Sequence, residues 1–425
     1  MFPNLYRSDS RPVIFAAAAW LIFAVDLLAS PPIPNPDSLL IYYGWPSAIN
    51  GAFSVSRAAM EFGKYDYVVI GDGLENGPGD PNPHPDHFNT LGIIHHPRTT
   101  NTHFFGYIDL GVITQNLSFG EIFRRIDDWK EMGVDGILLD DFGYDFGVTR
   151  ERQNIAVDYA HQQGLSIIAN GFRPEDVFSP AVHPNNPSGD STAINADDFY
   201  LYESQQVTLG RFQSQAAWQS KARKIQRFQD DIGFGVFSIT TNNPRNAFDE
   251  QKFFYSWFSA ALYGHQATGW GEYVFSASGP GNAQAPFRDR PDVDLGDTFL
   301  TDVLQSGSRF SRKTDRGVIF VDTATHDAGF LPLGDLDGNG TLNALDVDDF
   351  ETALFNQDAY RATHPQLDPL LLGDFDNNGR LDAFDVETFE SYITFGAPIP
   401  EPSSAVALLI LVGFACRRRP HVTIR

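Results

Sequence analysis

Two acidic patterns in this chain have spacings that can do chemistry. Asp140 and Asp141 close the apolar run of residues 134–139, and Glu203 closes the run of residues 199–202. Carboxylates held at separate strand ends can divide acid and base work, because burial and mutual repulsion keep a proton on one while the other stays ionised. Asp72, Asp109 and Glu272 stand at or near three further run ends, Asn170 at another, and Trp45, Tyr144 and Trp270 offer ring faces close by. Each also has a plainer role open to it: adjacent acids serve turns and helix N-termini, and aromatic residues fill cores as readily as sites.

The second pattern occurs twice, 39 residues apart, as Asp335-x-Asp337-x-Asn339-Gly340-Thr341-x-Asn343-x-x-Asp346 and Asp374-x-Asp376-x-Asn378-Gly379-Arg380-x-Asp382-x-x-Asp385. Side-chain oxygens at positions 1, 3, 5, 9 and 12, a backbone carbonyl at 7 (Thr341, Arg380) and glycine at 6 describe a calcium loop. Two calcium ions are therefore expected. Val347, Phe350 and Leu354 follow the first loop as Val386, Phe389 and Ile393 follow the second, so the two helices are expected to bury these faces against each other. An acidic linker would not repeat its apolar residues at the same offsets. Without a cation each cluster repels itself and two short helices bury little, so this segment is expected to fold only with calcium, and a chelator to unfold it while the rest stays intact.

The elements that position the first pattern are legible. Apolar runs at residues 39–43, 67–70, 104–108, 134–139, 165–169, 199–202, 235–239 and 267–273 read as eight strands, nearly all leaving into polar or acidic residues. Helix-period segments lie between them. Ser118 with Glu121 makes a capping box for a helix that carries Ile122, Ile126, Trp129 and Met132 on one face and stops at Gly133. Thr149 caps the next, with Ile155, Ala156, Tyr159 and Ala160 turned inward. The fold class is α/β: a (β/α)8 TIM barrel over residues 38–330, with its chemistry at the C-terminal strand ends, and a small α-helical EF-hand-like module over residues 333–396. An open doubly wound sheet is disfavoured, since no Gly-rich phosphate fingerprint follows the first run. Residues 275–332 are read as closure and padding, with a helix at 298–304 and a strand at 317–321.

Composition fits an exported protein with a large core. Of 425 residues 42% are hydrophobic and 13% aromatic, and the net charge of −24 argues against a nucleic-acid partner. Residues 335–390 hold 14 acidic and 2 basic residues, half of that charge in one segment. Arg7 and Arg11 precede an apolar run that ends at Leu27-Leu28-Ala29-Ser30, the layout of a signal peptide over residues 1–30; a membrane anchor competes, but the run is short for one. The single cysteine, Cys416, allows no internal disulfide. His84, His87, His95, His96 and His103 cluster before the third strand, yet no strand exit carries a His-x-His pair, so no metal is expected in the barrel. Asn116-Leu117-Ser118 is a glycosylation sequon, although the helix cap accounts for Ser118.

Phe105-Gly106-Tyr107-Ile108 and the run Gly133-Val134-Asp135-Gly136-Ile137-Leu138-Leu139-Asp140-Asp141 resemble motifs of the spherulin-like family, related to the endo-α-1,4-polygalactosaminidase barrel hydrolases. The resemblance covers roughly residues 38–275. It implies an acid at the fourth strand end as nucleophile, here Asp140 with Asp141 beside it, and a glutamate at the sixth as acid/base, here Glu203. The first two strands lack the family's usual phrasing, so the identity of the substrate does not carry over. The paired loops, with aspartate at position 12, resemble dockerin type I repeats, which implies a cohesin-like partner or docking within the chain. Pro400-Glu401-Pro402, the apolar run at 405–415 and Arg417-Arg418-Arg419 resemble a PEP-CTERM sorting signal over residues 399–420. That implies signal peptidase and exosortase as processing partners, and a product outside or on the surface of a cell with a Gram-negative type of envelope.

Three functions are weighed: an exported glycoside hydrolase acting on an extracellular polysaccharide, a barrel that binds polysaccharide without cleaving it, and a matrix protein whose calcium module is the working part. The first is favoured because both carboxylate positions are filled.

Overall fold

The computed structural model describes residues 34–243, 248–277 and 284–395, so both expected sorting signals lie outside the described residues. The strands are β1 (Asp37–Tyr42), β2 (Tyr67–Ile70), β3 (His103–Asp109), β4 (Gly136–Asp140), β5 (Ser166–Ala169), β6 (Phe199–Glu203), a short hairpin of β7 (Val207–Thr208) and β8 (Arg211–Phe212), then β9 (Gly235–Ile239) and β10 (Ala267–Gly269). Between them run α1 (Val55–Phe62), α2 (His87–Ile94), α3 (Phe119–Met132), α4 (Arg150–Gln162), α5 (Pro174–Phe178), α6 (Gln215–Ile232) and α7 (Glu250–Tyr263). All strands but the hairpin form one closed parallel barrel, in which β10 pairs with β1 through Asp37 and Ala267.

The strands read as unbroken apolar runs because both faces are buried. Leu39, Ile41, Val69, Phe105, Leu138, Ile168, Leu201 and Phe237 fill the interior, while the alternate residues Leu40, Tyr42, Ile137 and Leu139 pack outward against the helices. The same two-residue period carries Tyr43, Tyr107, Asp140, Asn170 and Glu203 to one mouth of the barrel. Ser118 Oγ accepts from Glu121 N at 3.2 Å, and Gly133 closes α3 at φ 83°. Gly106 is required by contact: a Cβ there would come within 2.2 Å of the Trp129 indole, whose Nε1 donates to Tyr107 O at 3.2 Å.

Two expectations need correction. Residues 298–304 are not helical, because the turn at Gly307, with φ 61°, folds Leu304–Ser306 back onto residues 309–311 as a hairpin. This opens a four-stranded antiparallel sheet of β11 (Leu304–Ser306), β12 (Arg309–Lys313), β13 (Gly317–Asp322) and β14 (Asp327–Pro332). Nor does this stretch close the barrel, which is complete without it. The sheet lies on α6 and α7, with Phe310 edge-on to Trp218 at 4.7 Å and Arg312 donating to Leu262 O at 3.1 Å.

Beyond the sheet come α8 (Asp346–Phe355), α9 (Gln357–Thr363), α10 (Pro369–Gly373) and α11 (Ala383–Phe395). Phe350 and Phe389 stack at 4.0 Å with their planes 7° apart, the mutual burial that the repeated offsets predict. Val318 and Leu331 of the sheet belong to the same core as Leu336, Phe350, Leu372 and Phe389. Lys313, almost fully buried, donates from Nζ to the Asp374 carbonyl. The module therefore shares its core with the sheet, so the expectation that it would unfold alone is revised: the two are coupled. Among the described residues no helix is long and apolar enough to cross a membrane.

Candidate functional sites

At the C-terminal strand ends a cavity of about 160 Å3 is lined by Tyr43, Asp140, Asp141, Phe146, Asn170, Phe172, Leu201, Glu203 and Phe275. Asn170 organises it. Its Nδ2 donates to Asp140 Oδ1 at 2.8 Å and to Glu203 Oε2 at 3.2 Å, so those carboxylate oxygens lie at most about 6 Å apart, the sum of the two contacts. Three strands thus bring three residues, 30 and 33 positions apart in sequence, to one amide group.

The two acids differ in their surroundings. Burial raises both above the usual carboxylate range. Asp140 is offset by hydrogen bonds from the Tyr107 hydroxyl, from Asp141 N at 2.9 Å and from Asn170, whereas Glu203 has only the Asn170 bond among the described residues; each also feels a like charge, Asp109 on Asp140 and Asp140 on Glu203. Burial, with Asp140 and Asp109 adding to it, lifts Asp141 to about 6. Asp141 occupies the left-handed region at φ 51°, which aspartate tolerates better than most residues and which turns its side chain into the same cavity.

Behind Glu203 the Lys221 ammonium of α6 sits 4.6 Å from the Tyr202 ring centre and 5.6 Å from that of Tyr200. Burial lowers this lysine to about 8, and its charge pulls Glu203 downward.

The remaining expected contacts lie outside the cavity. Trp45 is exposed and edge-on to His84, and Asp72 is taken up by Arg125 and by Gln115 at 2.7 Å. Asp109 is buried and folds back onto Gly111 N and Thr114 Oγ1, both at 2.7 Å. The Tyr144 ring stacks on His183 at 4.7 Å. Because β10 stops at Gly269, Trp270 turns into the core against Phe248 and Phe253, and Glu272 pairs with Arg288 at 2.8 Å. Tyr43, Tyr107, Phe146, Phe172 and Phe275 were not anticipated. Tyr43 and Tyr107 were findable, since they continue the inward parity of Leu39 and Ile41 and of Phe105. Phe275 was not: Val274, Phe275 and Ser276 form a left-handed turn, at φ 47°, 48° and 64°, that no residue type announces.

Part of the chain resembles solved structures. It is similar to the glycoside hydrolase domain of PelA from Pseudomonas aeruginosa, at 11% identity over 55% of this chain and 95% of that one, with a TM-score of 0.33. It is similar also to the HpcH/HpaI aldolase from Desulfitobacterium hafniense DCB-2 (12% identity, 56% of this chain and 86% of that one, TM-score 0.31). The carboxyl transferase domain of Rhizobium etli pyruvate carboxylase gives 9%, 56%, 40% and 0.36 for the same quantities. The likeness is one of fold. No family model matches the chain, and no curated protein matches its sequence.

The two acidic loops are built alike. Gly340 N donates to Asp335 Oδ2 and Gly379 N to Asp374 Oδ2, each at 2.8 Å, with the glycines at φ 85° and 82°. Leu336 N and Phe375 N likewise donate to Asp346 and Asp385 at 2.8 Å. Ligand oxygens of Asp335, Asp337 and Asp346, and of Asp374, Asp376 and Asp385, lie within 4.8 Å of one another in each loop. Asp335, Asp346 and Asp385 are fully buried. Three hard carboxylates converging at such spacing fit a divalent cation, and Asn339, Thr341, Asn343, Asn378, Arg380 and Asp382 stand at the remaining loop positions.

Proposed function

We propose that this protein is an exported glycoside hydrolase that cleaves an extracellular polysaccharide with Asp140 and Glu203. The observation that carries the reading is the shared Asn170 amide, which sets two carboxylates from β4 and β6 on one cavity. A separation of at most about 6 Å suits a retaining mechanism, in which the groups stand about 5 to 5.5 Å apart, and leaves little room for the water that an inverting enzyme places between them.

Asp140, with more donors, stays ionised and attacks the anomeric carbon. Glu203, with fewer donors, holds a proton and gives it to the leaving glycosidic oxygen. The glycosyl–Asp140 ester then yields to a water that Glu203, now a carboxylate, deprotonates; product leaves and the proton is back on Glu203. Asn170 keeps the two groups in register through both halves. Asp141 stands as the fallback partner of Asp140.

The paired loops hold two calcium ions through Asp335, Asp337, Asn339, Asn343 and Asp346 and through Asp374, Asp376, Asn378, Asp382 and Asp385, with the Thr341 and Arg380 carbonyls. Their packing on the antiparallel sheet favours docking within the chain over a cohesin-like partner. Export and removal of both sorting signals belong to the same reading. Purified protein is screened on exopolysaccharides, galactosamine polymers included, beside Asp140→Asn. Turnover that disappears in the variant supports the hydrolase; binding without turnover in either protein transfers support to a non-catalytic binder.

A further inference from the structure

The opposite mouth of the barrel is open as well. At the N-terminal strand ends a cavity of about 960 Å3 descends to a floor of aromatic rings. Phe199 stacks on Phe237 at 4.3 Å, Tyr67 lies 4.7 Å from Phe237, and Phe105 closes the set at 6.0 Å from Phe199. Tyr67 and Phe199 are partly exposed to the cavity, and His103 lies against Tyr67 at 5.3 Å with the planes 27° apart. A mouth that served stability alone would be plugged by apolar side chains. This one presents ring surface to a space of ligand size.

Its rim is polar, and the five aspartates that line it outnumber its one arginine. The Gln226 side chain of α6 makes no hydrogen bond to another described residue. Gln229 and Gln266 use their Nε2 groups, on Phe234 O and Asp37 Oδ2, each at 3.2 Å, and leave their acceptor oxygens free. Asp197 and Asp230 are exposed at the edge. Arg312 is committed to the carbonyls of Thr301 at 3.0 Å and Leu262 at 3.1 Å, and His161 to Asp198 at 2.9 Å. Rings offer a flat apolar surface to the C–H face of a pyranose, while amides and carboxylates bond its hydroxyls in fixed directions. Even with Arg312 facing Asp302 and Asp230, the rim keeps a net negative charge, which disfavours an anion.

We propose that this floor cavity is a second, non-catalytic saccharide site, holding an uncharged or cationic stretch of polymer at the end of the barrel remote from Asp140 and Glu203. The choice of ligand class rests on the polysaccharide reading of the catalytic mouth. It would tether the chain to a polymer while the other mouth cuts, raising the local substrate concentration without any new catalytic contact.

The test uses the full chain carrying Asp140→Asn, titrated by calorimetry with three hexamers: galactosamine, N-acetylglucosamine and galacturonic acid. The expected result is two binding events for at least one of the first two, with one event weakened at least tenfold by Gln226→Lys with Asp230→Lys and the other unchanged. Both substitutions lie on α6 away from its buried face, and circular dichroism checks that they fold. No binding of either hexamer, binding that is wholly indifferent to the α6 substitutions, or an α6-sensitive event with galacturonate overturns the proposal. Turnover by the unsubstituted chain is read separately. An α6-sensitive site without turnover sinks only the hydrolase, and turnover without such a site sinks only this inference.

Discussion

Asp140 and Glu203 accept hydrogen bonds from the same Asn170 amide, at 2.8 and 3.2 Å, yet among the described residues Asp140 has two further donors and Glu203 has none. The proposed roles of nucleophile and acid rest on that asymmetry, which makes them testable. Glu203→Gln should lower kcat by about 10²- to 10⁴-fold, the range for loss of a general acid. A substrate with a good leaving group should recover much of the loss in the first step, since it needs no proton. Equal loss on both substrates would remove Glu203 from the acid role.

Asn170→Ala takes a donor from both carboxylates, so both should hold protons to higher pH. For the nucleophile this means that the acidic limb of the kcat/KM profile moves to higher pH. A profile that merely scales down, with both limbs in place, would reduce Asn170 to packing.

Lys221 pulls Glu203 down and is itself lowered by burial to about 8. In Lys221→Met the Glu203 proton is held more tightly, so the basic limb of the rate profile should move to higher pH. Stability gives an independent sign. Between pH 8 and 10.5 the unfolded chain binds more protons at this lysine than the folded one, so folding stability rises with pH across that window in the parent. The methionine variant should lack that rise and be the more stable near neutrality. Urea melts at pH 7 and 10 read the difference; a variant less stable at pH 7 would contradict the buried-ammonium account.

Phe172 is 59% exposed at the cavity edge, 5.3 Å from Phe146, with no packing reason for standing there. As a stacking surface it is worth about 0.5–1.5 kcal/mol. Phe172→Ala should therefore raise KM roughly two- to thirteenfold and leave the thermal midpoint nearly unchanged. An unchanged KM on polymer would exclude it from binding.

Calcium should raise the thermal midpoint of the sheet and the helical module together, because Val318 and Leu331 share the core of Phe350 and Phe389. At calcium a hundredfold above its dissociation constant, each loop adds about 2.7 kcal/mol. Asp346→Ala should remove the contribution of the first loop only. Calorimetric traces identical with and without chelator would end the calcium reading.

The sequence by itself determined the barrel and the loops. Unbroken apolar runs with polar exits locate the strands to within a few residues, because both faces of each strand are buried, and cap chemistry fixes α3 from Ser118 to Gly133. The two acidic loops were readable to the residue because their converging carboxylates all come from one short contiguous stretch. Only the tertiary structure decided which strand-end residues meet. Asp140, Asn170 and Glu203 converge because inward parity and register act together, whereas Asp109, of the same parity, is drawn off by Gly111 and Thr114. Trp270 and Glu272 were misplaced because the length of β10 is set by its pairing with β1 and β9 and not by its own residues. The antiparallel sheet, the module that shares its core and the open floor of the barrel all depend on contacts between residues far apart in the chain, for which no local pattern exists.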